Sequence, residues 1–317
     1  MNENSTDDGV QKKEKRSGIE LNPVLLLGLR MRMRKGSTFA VLGVYAAVVG
    51  ILTALICLIL ITQNHNSIMG LMITRQLVGK IVFWSVTALE LSAVLILTPA
   101  MMAGSITLER EQGTFDLLKT TTMPMRSIVW GKLLEGLSFS LLLAIVTIPL
   151  QSIVFLLGGI ALEEVVICAL LVILTASMMC STVLFFSSRE KNTLRALMWS
   201  YGSSFFLFIL IPIAGLMLTP LMIGLDNSAA SGPYATLADV LAILTGWILI
   251  SINPVAAMAV SASLWMAHQD LFFYQYPLKM GGTLSLFSPW VLFTLICFLL
   301  SLFLFWASTH FAGKAEK

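Results

Sequence analysis

The chain is 317 residues long, 57% hydrophobic by count and only 12% charged, whereas a soluble domain carries about 25% charge. A surface that apolar would aggregate in water, so an ordinary soluble enzyme or binding module is excluded and lipid is the solvent for most of the chain. The net charge of +3 is small, and its placement says more than its sum.

Residues 1–20 hold Lys12, Lys13, Lys15 and Arg16 among polar residues. That opening is too long and too polar for a cleaved signal peptide, and it reads as a disordered cytoplasmic tail. Residues 21–36 follow. Asn22 can cap a helix and Pro23 suits its first position. Leu25, Leu26, Leu29 and Met33 share a face at helical spacing, while Arg30 and Arg34 leave it. The pattern predicts an interfacial helix with its basic side toward lipid phosphates. Leu27 and Met31 weaken it, and a plain charged topology anchor is the alternative.

Crossing about 30 Å of hydrocarbon takes roughly 20 apolar residues in a helix. Six runs meet that length: Phe39 to Thr62, Ile81 to Ile106, Leu133 to Leu157, Val165 to Phe186, Leu197 to Leu225 (interrupted by Pro212 and Pro220) and Pro289 to Phe311. The backbone in lipid must satisfy its own hydrogen bonds, so these runs are helices. With the N-terminus inside, the inner segments hold 17 of the 20 Lys and Arg. Arg75, Lys80 and Lys279 alone fall outside, so the positive-inside rule supports six spans with both termini cytoplasmic.

Between spans five and six lie Ala235 to Ile252, then Asn253-Pro254, then Val255 to Ala267. The second piece, about 13 residues or roughly 20 Å of helix, is too short to cross. A seventh span at Ala235 to Ile252 would put Lys314 and Lys317 outside, against the charge rule. Residues 235–267 therefore read as an outer re-entrant helical hairpin packed on the spans, with Asn253 capping the returning helix. The fold class is all-α: a polytopic membrane protein with an N-terminal interfacial helix and this hairpin.

The loop of residues 107–132 joins spans two and three on the cytoplasmic side. Gly113 stops the helix leaving the membrane. Thr114 is a candidate N-cap, with Asp116 in the first turn, where negative charge is favoured. Phe115, Leu117 and Leu118 then form a short helix whose apolar side chains have nothing in the loop to bury them. They pack on membrane, on the spans, or on another protein's groove. Pro124 opens the helix running into span three.

Glu109-Arg110-Glu111-Gln112-Gly113-Thr114-Phe115-Asp116-Leu117-Leu118, with a later Gly131-Lys132-Leu133, resembles permease subunits of type-two ATP-binding-cassette exporters. The opening Asn22-Pro23-Val24-Leu25-Leu26 and Ile252-Asn253-Pro254 are similar to that group too. The resemblance implies that 21–317 is a six-span permease domain in the plasma (inner) membrane. It implies that the helix at Thr114 to Leu118 docks on an ATP-binding subunit, with Glu109, Arg110 and Gly113 shaping the turn and its polar rim. A second permease subunit completes the path. ATP and Mg belong to the partner, since the chain has no Gly-x-x-x-x-Gly-Lys-Ser/Thr segment and no cofactor of its own. No enzymatic activity and no nucleic-acid partner are expected.

Glu90 sits near the middle of span two. A carboxylate there faces the protein interior, pairs, or is neutral. It is a candidate for the translocation path or a dimer seam, or else a protonated side chain bonded to a neighbouring helix. Gln151 and the Ser181-Thr182 pair are possible partners. Cys57, Cys168, Cys180 and Cys297 lie in apolar runs without metal-type spacing and read as packing residues. A single clear intramembrane carboxylate is too little for a membrane-embedded enzyme. A secondary transporter or channel calls for more intramembrane charge or symmetric broken spans, and the sequence has no internal repeat.

Overall fold

A computed structural model describes residues 23–34, 36–63, 68–114, 124–157, 160–215, 217, 235–266, 270–277 and 283–314. The docking segment from Phe115 through Asp116, Leu117 and Leu118 lies outside the described residues, as do residues 1–20 and Pro220. Helices dominate: α1 (Pro23–Arg34), α2 (Gly36–Gln63), α3 (Ile68–Met102), α4 (Gly104–Glu111), α5 (Met125–Leu157), α6 (Leu162–Arg189), α7 (Thr193–Phe205), α8 (Ala235–Ile252), α9 (Pro254–Met266) and α10 (Pro289–Lys314).

Among the described residues, six stretches are long and apolar enough to cross a membrane: Gly36–Ile59, Val78–Glu111, Met125–Ser152, Leu162–Arg189, Thr193–Gly215 and Pro289–Gly313. The helices outrun the apolar sequence at most ends. Hydrophobicity marks the hydrocarbon segment, whereas a helix continues into the headgroup region until a stop signal ends it. The fifth of these spans begins at Thr193, ahead of the predicted Leu197.

α6 is the central element, packed by α3, α5 and α10. Its inner face buries Cys168, Leu171, Val172, Ala176, Met179 and Val183. Small residues let the helices close up. A Cβ on Gly136 of α5 would collide with Met102 Sδ and come within 3.0 Å of Cys180 Sγ. Ser181 bonds Ser301 of α10 at 2.9 Å, and Thr182 Oγ1 donates to Met178 O of its own helix. Ser181 therefore serves the α6–α10 seam and Thr182 its own helix, while the side-chain bonds of Glu90 come from Thr147 and Gln151. None of the four cysteines is in a disulfide; Cys168, Cys180 and Cys297 are buried and Cys57 is partly buried.

α7 runs into a π-helical turn, Phe206–Leu210, before Pro212. α8 and α9 meet at Asn253 with a bend of 116° between 240–252 and 254–265. Asn253 Oδ1 accepts from Val255 N at 2.9 Å and Ala256 N at 3.1 Å, which caps α9.

α1 packs on α5. Gly28 is the contact point, and a Cβ there would press on the Glu135 carboxyl. Leu25 and Leu29 are half-buried beside it, Leu26 and Leu27 are exposed, and so are Arg30 and Arg34. The buried face is thus narrower than the predicted one.

One feature departs from the all-helical expectation. Strands β1 (Phe273–Pro277) and β2 (Thr283–Phe287) pair antiparallel, with Phe273 opposite Phe287. Trp247 of α8 stacks on Tyr274 with rings 5.4 Å apart and donates to Phe287 O at 2.7 Å, fixing the ribbon to α8.

Candidate functional site

The loop joining spans two and three springs from a polar junction. It begins where the second span breaks at Ala103, between α3 and α4. A helix start leaves backbone N–H groups without intrahelical partners. Ser187 of α6 supplies the missing partner. Its Oγ accepts from Ile106 N at 3.1 Å and Thr107 N at 3.2 Å and donates to Ala103 O at 2.9 Å. Thr107 Oγ1 also donates to Ala103 O, at 2.9 Å, and meets Thr193 Oγ1 at 2.9 Å. Ser187, Thr107 and Ile106 are fully or almost fully buried.

At the end of α4, three consecutive charged residues reach three different elements. Glu109 Oε1 pairs with Lys132 Nζ of α5 at 2.7 Å, and Lys132 also donates to Ser105 O. Arg110 Nη1 donates to Glu190 O at 3.2 Å, at the C-terminus of α6, where a cation complements the helix dipole. Glu111 Oε1 accepts from Thr193 N at 2.7 Å. A carboxylate from one helix thereby fills an orphan donor at the start of α7.

The helix then stops in a Schellman arrangement. Gly113 has φ +69°, Thr114 N donates to Glu109 O at 2.9 Å and Gly113 N to Arg110 O at 3.1 Å. Thr114 Oγ1 turns back to Glu109 O at 3.2 Å. On the far side of the loop, Pro124 O accepts from Ser127 N at 2.8 Å, and α5 starts at Met125.

The predicted turn and rim residues Glu109, Arg110 and Gly113 are thus brought together, with Thr114, the first residue of the predicted docking helix, beside them; Phe115, Asp116, Leu117 and Leu118 fall outside the described residues. Sequence reasoning missed Lys132, Ser187, Glu190 and Thr193, and did not assign Glu111. A signal was present in Glu-Arg-Glu at a helix end, and in Ser-Ser-Arg-Glu closing span four.

Glu90 lies apart from this junction. It is 3% exposed, and its Oε2 accepts from Thr147 Oγ1 at 3.2 Å and Gln151 Nε2 at 3.3 Å, both on α5. Gln151 is among the partners expected from the sequence; Thr147, one turn away, is not. Arg30 and Arg34 are exposed on α1, far in sequence from both clusters. Among the described residues no group of three His, Cys, Asp or Glu is placed to hold a metal ion.

No protein-family model matches this chain, and no curated protein matches it. What the fold defines is a mostly helical chain with, among the described residues, six segments long and apolar enough to cross a membrane.

Proposed function

We propose that this chain is the membrane-spanning subunit of an ATP-driven exporter of the ATP-binding-cassette class, coupling hydrolysis in a separate ATPase chain to translocation. The observation that carries the reading is the construction of the loop's base. Glu109, Arg110 and Glu111 tie the end of α4 to α5, the end of α6 and the start of α7. A force applied to the intervening apolar segment Phe115–Leu118 reaches three other spans through these bonds. A free linker has no need of such a base, whereas a lever has. Coupling of this kind requires contacts that differ between the two states of the partner.

The finer topology belongs to the same proposal. The loop and both termini are cytoplasmic in the plasma (inner) membrane, as the Lys and Arg distribution favours. α1 is the interfacial helix, with Arg30 and Arg34 toward headgroups. α8 and α9 form the outer re-entrant hairpin. A turn of 116° reverses the chain, which suits a dip better than a crossing. A second permease subunit completes the path, and ATP and Mg act in the partner.

The test is co-purification of the full chain with an ATPase subunit. Phe115→Asp and Leu118→Asp are each expected to abolish it while leaving the chain folded. Undiminished association in both variants would overturn the docking assignment.

A further inference from the structure

The helices α5 and α6 part around Glu90. A cavity of about 200 Å³ lies there, lined at its floor by Glu90, Gln151 and Cys168. Its mouth is formed by Ile145 and Ile148 of α5 and Ile173 of α6, each about half exposed on the flank of the bundle. Among the described residues no Lys, Arg or His lines it.

The chemistry of the floor is one-sided. Thr147 and Gln151 are neutral donors, so they orient the carboxylate and leave its charge unbalanced. An isolated charge in hydrocarbon is costly and calls for a counter-charge or a proton. An inorganic cation is poorly served, because Ca²⁺ or Mg²⁺ takes six or more oxygen ligands and the walls here are mostly carbon. An ammonium head is better matched. It offers three donors to the Glu90 carboxylate. The apolar mouth suits an attached alkyl chain.

We propose that this cleft binds a membrane-dissolved alkylammonium, its head on the Glu90 carboxylate and its chain passing between Ile145, Ile148 and Ile173 into lipid. The site goes beyond the exporter reading and stands without it, since no ATPase is needed for binding.

The experiment is equilibrium binding of radiolabelled dodecylamine to the purified full chain in zwitterionic lipid nanodiscs, against empty nanodiscs. Saturable binding is expected near one per chain, unaffected by sodium and not displaced by dodecanol. Glu90→Gln, which keeps the shape and removes the charge, is expected to weaken it at least tenfold. Ile148→Trp, which narrows the mouth without touching the carboxylate, is expected to weaken it similarly and decides the matter if the first variant does not fold. Absence of saturable binding, wild-type affinity in either folded variant, equal displacement by dodecanol, or displacement by sodium would each overturn the proposal.

Discussion

Asn253 Nδ2 donates to the Phe208 carbonyl oxygen at 2.6 Å, joining the elbow between α8 and α9 to the π-helical turn of α7. Pro212 explains why that carbonyl needs a donor. In a regular helix the N–H of residue 212 would bond the oxygen of residue 208, and proline has none. Phe208 is 5% exposed, so water does not replace the missing donor and Asn253 does. The same side chain caps α9 through its oxygen. One asparagine therefore closes two backbone defects at once.

Asn253→Ala is expected to lower unfolding stability by about 2–4 kcal/mol, from a lost cap and an unsatisfied buried carbonyl. In a Pro212→Ala background the backbone regains a donor for Phe208, and the cost should fall by about 1 kcal/mol or more. Denaturant titration of the four proteins in detergent, followed by tryptophan fluorescence, measures the coupling. A coupling of zero would show that the two residues do not share the carbonyl.

Ser187 and Ser188 are both fully buried, yet their substitutions should differ. Ser188 Oγ donates to Phe185 O within its own turn at 2.7 Å, and that carbonyl keeps other means of satisfaction. Ser187 serves the break at Ala103 with one donated and two accepted bonds. Ser187→Ala is expected to cost about 2–4 kcal/mol and Ser188→Ala under about 1 kcal/mol. Equal losses in the same titration would remove the special role of Ser187.

The six apolar segments were legible because hydrocarbon thickness imposes a length that sequence shows directly. Gly113 was legible as a stop because a left-handed residue at a helix end favours glycine, and Asn253-Pro254 because capping is local. The junction was only half legible. Glu109, Arg110 and Gly113 announce a helix end, but Lys132, Ser187 and Thr193 come from three other elements, and no local rule joins residues 23, 81 and 82 positions apart. The pairing of Glu90 with Thr147 failed for the same reason. The β-ribbon was missed although Phe-Tyr-Gln-Tyr and Thr-Leu-Ser-Leu alternate around Gly281-Gly282, because the membrane frame directed the reading toward helices.

The Lys132–Glu109 pair is asymmetric, and its variants should show it. The Lys132 side chain is 6% exposed and that of Glu109 30%. Lys132→Met leaves Glu109 with an unpaired carboxylate and Ser105 O without its donor, at an expected cost of about 2–3 kcal/mol. Glu109→Gln keeps a neutral acceptor facing Lys132 and leaves its bond to Ser105 O in place, so about 1 kcal/mol is expected. Thermal unfolding in detergent ranks the two. A larger loss for Glu109→Gln would mean that Lys132 relies on the charge of Glu109 more than on Ser105.

Gly113 offers the narrowest test of the loop's base. At φ +69° a Cβ meets the backbone, and alanine there costs about 1 kcal/mol, while asparagine tolerates the left-handed region better. Among the described residues no atom lies within 4 Å of the Cβ position, so the effect is conformational, not steric crowding from another described helix. The strain falls on the bonds that Gly113 N and Thr114 N make to Arg110 O and Glu109 O. Gly113→Ala should therefore speed hydrogen exchange at these two amides about fivefold, the equivalent of about 1 kcal/mol, with amides deep in α6 unchanged. Gly113→Asn should fall between alanine and wild type. If the loop docks on an ATPase, association should weaken in the same order, because a frayed α4 no longer holds the segment beginning at Phe115 on the bonds to α5, α6 and α7. Exchange rates unchanged in Gly113→Ala would show that the turn reforms by another route and that the base does not depend on it.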